Sequence, residues 1–141
     1  MKHILFLILF SIILNASDIS LIKVKILETI MQELSVDSKK LIWSDNSQLL
    51  AKLEDRNNLN IVSNCEDASL IIVERLDLSQ GCKNKNIFVL NYDLLSKIDN
   101  SFGALFWKKG RPNIIILEPR INKQSIKIND KLKPYLEDRI W

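Results

Sequence analysis

Ala68-Ser69-Leu70-Ile71-Ile72-Val73 and Asn86-Ile87-Phe88-Val89-Leu90-Asn91 decide the fold class. Each is a continuous apolar run, and β-branched residues dominate the first. Runs of this length without polar alternation suit strands covered on both faces. Ser79-Gln80-Gly81 marks a turn between them. Tyr92 to Ile98 follows as a short helix, which Asp99-Asn100-Ser101 breaks. Further on, Phe102-Gly103-Ala104-Leu105-Phe106-Trp107 and Asn113-Ile114-Ile115-Ile116-Leu117 form two more strands. Lys108-Lys109-Gly110-Arg111-Pro112 joins them, and its Gly and Pro make this the clearest hairpin signal of the chain.

Upstream, Ile19, Ile22, Ile26 and Ile30, with Leu27, Met31 and Leu34, mark one face of a helix over Asp18 to Leu34. Asp18 or Ser20 can cap its start. Lys39 to Trp43 reads as a strand, Gln48 to Leu53 as a helix and Asn60 to Val62 as another short strand. Downstream, Pro119 stops a strand and Arg120 to Ser125 makes one or two helical turns. Asn129 then caps a helix over Asp130 to Ile140, with Leu132, Leu136 and Ile140 on one face. Pro134 is tolerable there only in the first turn. Helices alternating with strands, then a hairpin and a terminal helix, predict an α/β sandwich. Its single domain holds a mixed, mostly buried sheet flanked by helices.

The first residues read as an address. Met1-Lys2-His3 is a basic start, and Ile4 to Leu14 is apolar except for Ser11. Ala16 offers a cleavage position, so residues 1–16 match a secretory signal peptide and 17–141 the mature domain. Eleven helical residues span about 16 Å, short of the roughly 30 Å hydrocarbon core. An uncleaved anchor is the alternative. The expected location is the periplasm.

Removing the leader sharpens the composition. The full chain of 141 residues has a formal charge of +3 and one histidine, His3. Without Lys2 the balance is +2, and without His3 the mature chain has no histidine. Ser-His-Asp and Cys-His catalysis and His-ligated metal sites are therefore excluded. Gly81, Gly103 and Gly110 are isolated, so no phosphate-cradling loop exists. Nucleic acid is a poor partner for an exported chain of nearly balanced charge. No enzyme, metal or cofactor is expected.

Cys65 and Cys82 are the only cysteines. An oxidising compartment favours a disulfide between them, worth about 3 kcal/mol for a loop of that size. Two buried thiols are the alternative. Trp107, Lys108, Lys109 and Arg111 concentrate an aromatic and three cations at the hairpin tip. They are candidate contacts for an acidic partner or an anionic ligand, though a solvated turn would look alike. A terminal aromatic such as Trp141 is useful only if it docks, on its own domain or on a partner.

The segment Asn64-Cys65-Glu66-Asp67-Ala68-Ser69-Leu70-Ile71-Ile72-Val73 resembles the cysteine-plus-strand element of the YfiR-type family of small periplasmic proteins. Phe102-Gly103-Ala104 opens a hairpin through Gly110-Arg111-Pro112-Asn113-Ile114. The stretch Ile116 to Leu136 follows, with Asn122, the link Ser125-Ile126-Lys127-Ile128 and Asn129. That succession is similar to the family's C-terminal half, and the resemblance spans Asn64 to Ile140 loosely. It implies a compact α/β periplasmic fold. It also implies a regulator that holds down an inner-membrane signalling protein, typically a diguanylate cyclase, by binding its periplasmic sensor domain. Disulfides tune that role in the family, whose better-known members carry four cysteines rather than two. The Gly-Arg-Pro-Asn tip departs from the family's usual turn.

The leading expectation is thus a non-enzymatic exported regulator that binds the periplasmic domain of a diguanylate cyclase or histidine kinase. The alternative is a small periplasmic solute-binding module for an anionic ligand. The sequence leaves a homodimer open.

Overall fold

The structure, a computed structural model, describes residues 21–75 and 77–141. The leader and the first turn of the predicted N-terminal helix lie outside the described residues. One six-stranded sheet organises the chain. Its strands are β2 (Ile42–Ser44), β3 (Leu70–Val73), β4 (Asn86–Val89), β5 (Ser101–Lys108), β6 (Arg111–Leu117) and β8 (Leu136–Glu137), side by side in that order. β2 to β5 run parallel, β6 returns antiparallel to β5, and β8 runs parallel to β6. The predicted mixed α/β sheet is therefore present.

Both faces of this sheet are covered, which explains the unbroken apolar runs. Leu70 and Ile72 enter one core, and Ile71 and Val73 enter the other. In β4, Phe88 faces the first core while Ile87 and Val89 face the second. All four residues of β3 are buried. Alternation still operates here, but both sides of it are dry.

The first core is roofed by α1 (residues 21–32) and α2 (Ser47–Arg56). Val24, Leu27, Ile30 and Met31 of α1 pack with Leu49 and Leu53 of α2, each side chain contributing about 1.5–3 kcal/mol by leaving water. Asn46 caps α2 by accepting from the Leu49 N–H at 3.0 Å. Asn57 ends it in the left-handed conformation, with φ 57°. α1 stops two residues short of the predicted Leu34. Leu34 and Ser35 instead form β1, paired antiparallel with β7 (Lys127–Ile128).

The crossovers use both faces of the sheet. After α2 the chain passes outside β2, where Ile61 bridges Ile42 in parallel. It then returns beneath the second face through the short turn Cys65–Asp67 and enters β3 on the inner side of β2. The remaining parallel connections stay on that face, including α3 (Leu94–Lys97). The winding therefore reverses between β2 and β3.

Near the start of β5 the pairing with β4 slips between Ile87 and Phe88. This bulge lets both Phe102 and Leu105 reach the first core. Gly103 sits where a Cβ would lie 2.7 Å from the Ile115 carbonyl and 3.0 Å from the Phe88 ring. The turn of the hairpin is tighter than the five-residue connection predicted. Only Lys109 (φ 53°) and Gly110 (φ 76°) lie between the strands, the φ signs of a type I′ turn.

The C-terminal helix predicted over Asp130 to Ile140 is not formed. A 3-10 turn covers Asp130–Tyr135 and gives way to β8. Pro134 has no N–H for a helical ladder, and Leu136 pairs with Ile116 instead. Pro119 does stop β6, because it occupies the first turn of α4 (Glu118–Lys123). Among the described residues no helix is long and apolar enough to cross a membrane.

Candidate partner-binding surface

In a doubly wound sheet the crevice beyond the carboxyl ends of the strands, where winding reverses, is the usual ligand position. Here Asp45 lies in it. Its carboxylate accepts the backbone N–H of Glu74 at 2.8 Å and of Arg75 at 2.9 Å. Burial pushes the Asp45 pKa up, and those two N–H groups pull it back only in part. The Asn46 amide donates to Glu74 at 2.6 Å, and Lys23 lies 3.7 Å from the same carboxylate. These side chains narrow the crevice to a cavity of about 80 Å³ beside Lys23, Asn46 and Gln48.

The hairpin tip is different. β5 and β6 run well past β4, which ends opposite Ala104. Cross-strand partners share a face, so Phe106 with Asn113, and Lys108 with Arg111, point the same way. Phe106 belongs to the second core and meets Tyr92 with ring centroids 5.0 Å apart. Tyr92 in turn holds Trp141. Its hydroxyl donates to the Trp141 carbonyl at 2.9 Å and accepts the Trp141 N–H at 2.8 Å. Arg139 stacks over the Trp141 ring, 5.2 Å from its centroid.

One face of the hairpin carries Lys108, Arg111, Asn113 and Phe106; Tyr92 packs on Phe106 and in turn holds Trp141. Lys108, Lys109, Arg111 and Asn113 line a shallow cleft of about 320 Å³. No ion pair engages those three cations among the described residues. The Trp141 ring is 75% exposed although its backbone is tied down. Such a surface presents positive charge and flat aromatic area together, which suits anionic, partly apolar groups.

Trp107 stands apart from the other sequence candidates. It lies on the opposite face, half-buried against the first core. The structure adds Tyr92, Phe106 and Arg139, which the sequence did not single out. Their proximity depends on how separate elements are registered, and no local pattern records that.

Cys65 and Cys82 form a disulfide with Cα atoms 5.7 Å apart, inside the usual range. It ties the turn before β3 to the turn Gln80–Cys82 before β4. Glu66 lies close to both sulfurs. With the thiols consumed in the bond, this group has no thiolate to offer a metal. No family model matches the chain, and no curated protein matches it in sequence.

Proposed function

We propose that this chain is an exported, non-enzymatic binding protein of the periplasm. It docks on the periplasmic domain of an inner-membrane signalling protein, a diguanylate cyclase or a histidine kinase. The observation that carries the reading is the hairpin face of Lys108, Arg111 and Phe106, with Tyr92 packed on Phe106 and Trp141 held by Tyr92. Arg, Trp and Tyr are the side chains that most often anchor interfaces. Unpaired cations around them speed encounter with an acidic partner. The resemblance to YfiR-type regulators points to the same kind of partner. A disulfide and the lack of a membrane-spanning helix among the described residues are compatible with export.

The test is co-purification of membrane signalling proteins with the native chain and with a Lys108→Glu/Arg111→Glu variant. Binding should weaken at least tenfold in the variant and fall as salt rises. Trp141→Ala should weaken it further. Undiminished capture by the charge-reversed protein would remove this face from the interface.

The cleft at the tip favours a second reading, a site for a small anion. A ligand at 100 times its Kd would add about 2.7 kcal/mol to stability. A thermal shift with a single carboxylate or phosphate compound, lost in Arg111→Glu, would favour this second reading over partner docking.

A further inference from the structure

The apolar stripe of α1 is only partly covered by the fold. Val24, Leu27, Ile30 and Met31 are buried, but Ile26 is half-buried and Ile22 is 46% exposed. Ile22, Ile26 and Ile30 follow one another at a spacing of four, so they form a row along one side of the helix. Ile26 and Ile30 border a groove of about 420 Å³ between α1 and the 130–135 turn, and Ile114 of β6 lines it as well. Leu132 of the turn is buried there, whereas Ile114 is half-buried and Tyr135 is 38% exposed.

Each wall of the groove adds a lysine. Lys25 comes from α1 and Lys131 from the turn, and both are exposed. Lys25 has no ion pair among the described residues. Lys131 has only a loose one, 3.8 Å from Glu33, whose carboxylate also accepts from Asn129. The other acids nearby are engaged: Glu28 is bonded to Arg56 and Asn58, and Asp130 to Lys133 at 2.7 Å. Burial thus divides the lining into an apolar depth and a positively charged rim. The volume is that of a small-molecule site. It is too small for a protein interface, which takes about 20–30 residues a side.

An apolar depth and a cationic rim in one groove call for a ligand that is apolar along its length and anionic at one end. We propose that the groove between α1 and the 130–135 turn binds a single-chain anionic amphiphile, an alkyl carboxylate of the fatty-acid class. Its chain lies against Ile26, Ile30, Ile114 and Leu132, and its carboxylate is held at the rim by Lys25 and Lys131. The lysine stems are themselves apolar and cover the first methylenes of the chain. A fully buried methylene raises affinity about fourfold, and one half-covered by an open groove about twofold. The inference goes beyond the partner-binding reading and uses no residue of the hairpin tip.

The experiment titrates the native chain with octanoate, decanoate and dodecanoate below their micellar concentrations. Decanol and decyltrimethylammonium serve as neutral and cationic probes. Methyl NMR shifts of Ile26 and Ile114 report the site. Both should move with the carboxylates, and affinity should rise about twofold with each added methylene. Decanoate should bind more tightly than decyltrimethylammonium. Lys25→Gln/Lys131→Gln should weaken decanoate about fivefold and leave decanol within about twofold. Lys108→Glu/Arg111→Glu should leave decanoate within about twofold, because the tip lies outside the groove. Ile26→Glu should abolish binding of every probe, and if that variant does not fold, the double-lysine variant decides. Equal affinity for decanoate and decyltrimethylammonium would overturn the proposal, as would shifts confined to the hairpin tip or no binding. Shifts at Ile26 and Ile114 that follow protein concentration without ligand would overturn it too, because a second copy would then cover the groove.

Discussion

The Tyr92 hydroxyl both donates to the carbonyl and accepts from the N–H of Trp141, at 2.9 and 2.8 Å. One side-chain atom thus fixes the last residue against the sheet while the indole ring stays in solvent. Tyr92→Phe should release that end. Exchange at the Trp141 amide should rise more than tenfold. Global stability should change by only about 1 kcal/mol, as both hydrogen bonds are exposed. Hydrogen exchange and urea denaturation read the two effects separately.

Gly103 and Gly110 should respond differently to alanine. At Gly103 the added Cβ meets the Ile115 carbonyl and the Phe88 ring inside contact distance. Overpacking of this kind costs about 1–3 kcal/mol. At Gly110 the new methyl meets open space, and only the positive φ of 76° opposes it. That penalty is about 1 kcal/mol. Denaturation midpoints should rank Gly103→Ala below Gly110→Ala.

Reduction of Cys65–Cys82 should lower stability by about 3 kcal/mol. Cys65→Ser should reproduce the loss in the absence of reductant. Cys82 is fully buried in the second core, so reduction should also speed amide exchange in β3 and β4. A reduced protein with the same urea midpoint as the oxidised one would contradict this.

Glu28 and Asp45 should oppose each other as pH falls. The Arg56 guanidinium bonded to Glu28 holds its carboxyl below the usual range, against the effect of burial and with help from the Asn58 amide. The unfolded chain then takes up the proton first. Glu28 therefore stabilises the fold above the ordinary glutamate value of about 4.3, and that share is lost as pH drops toward its lowered folded value. Asp45 is raised by burial, so the folded state takes up its proton first and gains stability as pH falls. Acid titrations followed by circular dichroism should show a shallower loss in Glu28→Gln. Asp45→Asn should show a steeper one.

Much of the sheet could be read locally. Leu70–Val73, Asn86–Val89 and the two hairpin strands carry enough consecutive apolar residues to declare themselves. Of the stripe read on α1, Leu27, Ile30 and Met31 are buried, whereas Ile22 is exposed and Val24, outside that stripe, is buried. The two-residue strands β1, β7 and β8 are too short to carry a period, and Leu132, Leu136 and Ile140 happen to match a helical one. Leu136 became a strand residue because Ile116 was available to pair with it. The basic tip was legible in Lys108 to Arg111. Trp141 stood out as a terminal aromatic, but Tyr92 and Phe106 did not, because only the tertiary fold aligns them with it.

The pairing of Leu34 with Ile128 also sets the order in which the molecule can be assembled. The Glu33 carbonyl accepts the Asn129 N–H at 3.0 Å, and Lys131 reaches the Glu33 carboxylate. The end of α1 is thus secured by residues far downstream in the sequence. A nascent chain halted before Ile128 can pair β2, β3 and β4 and pack α1 on α2, yet it lacks the strand that closes the end of α1. Contacts of such sequence separation slow folding. The closing step waits on Ile128, and until it is made Leu34 has no strand partner.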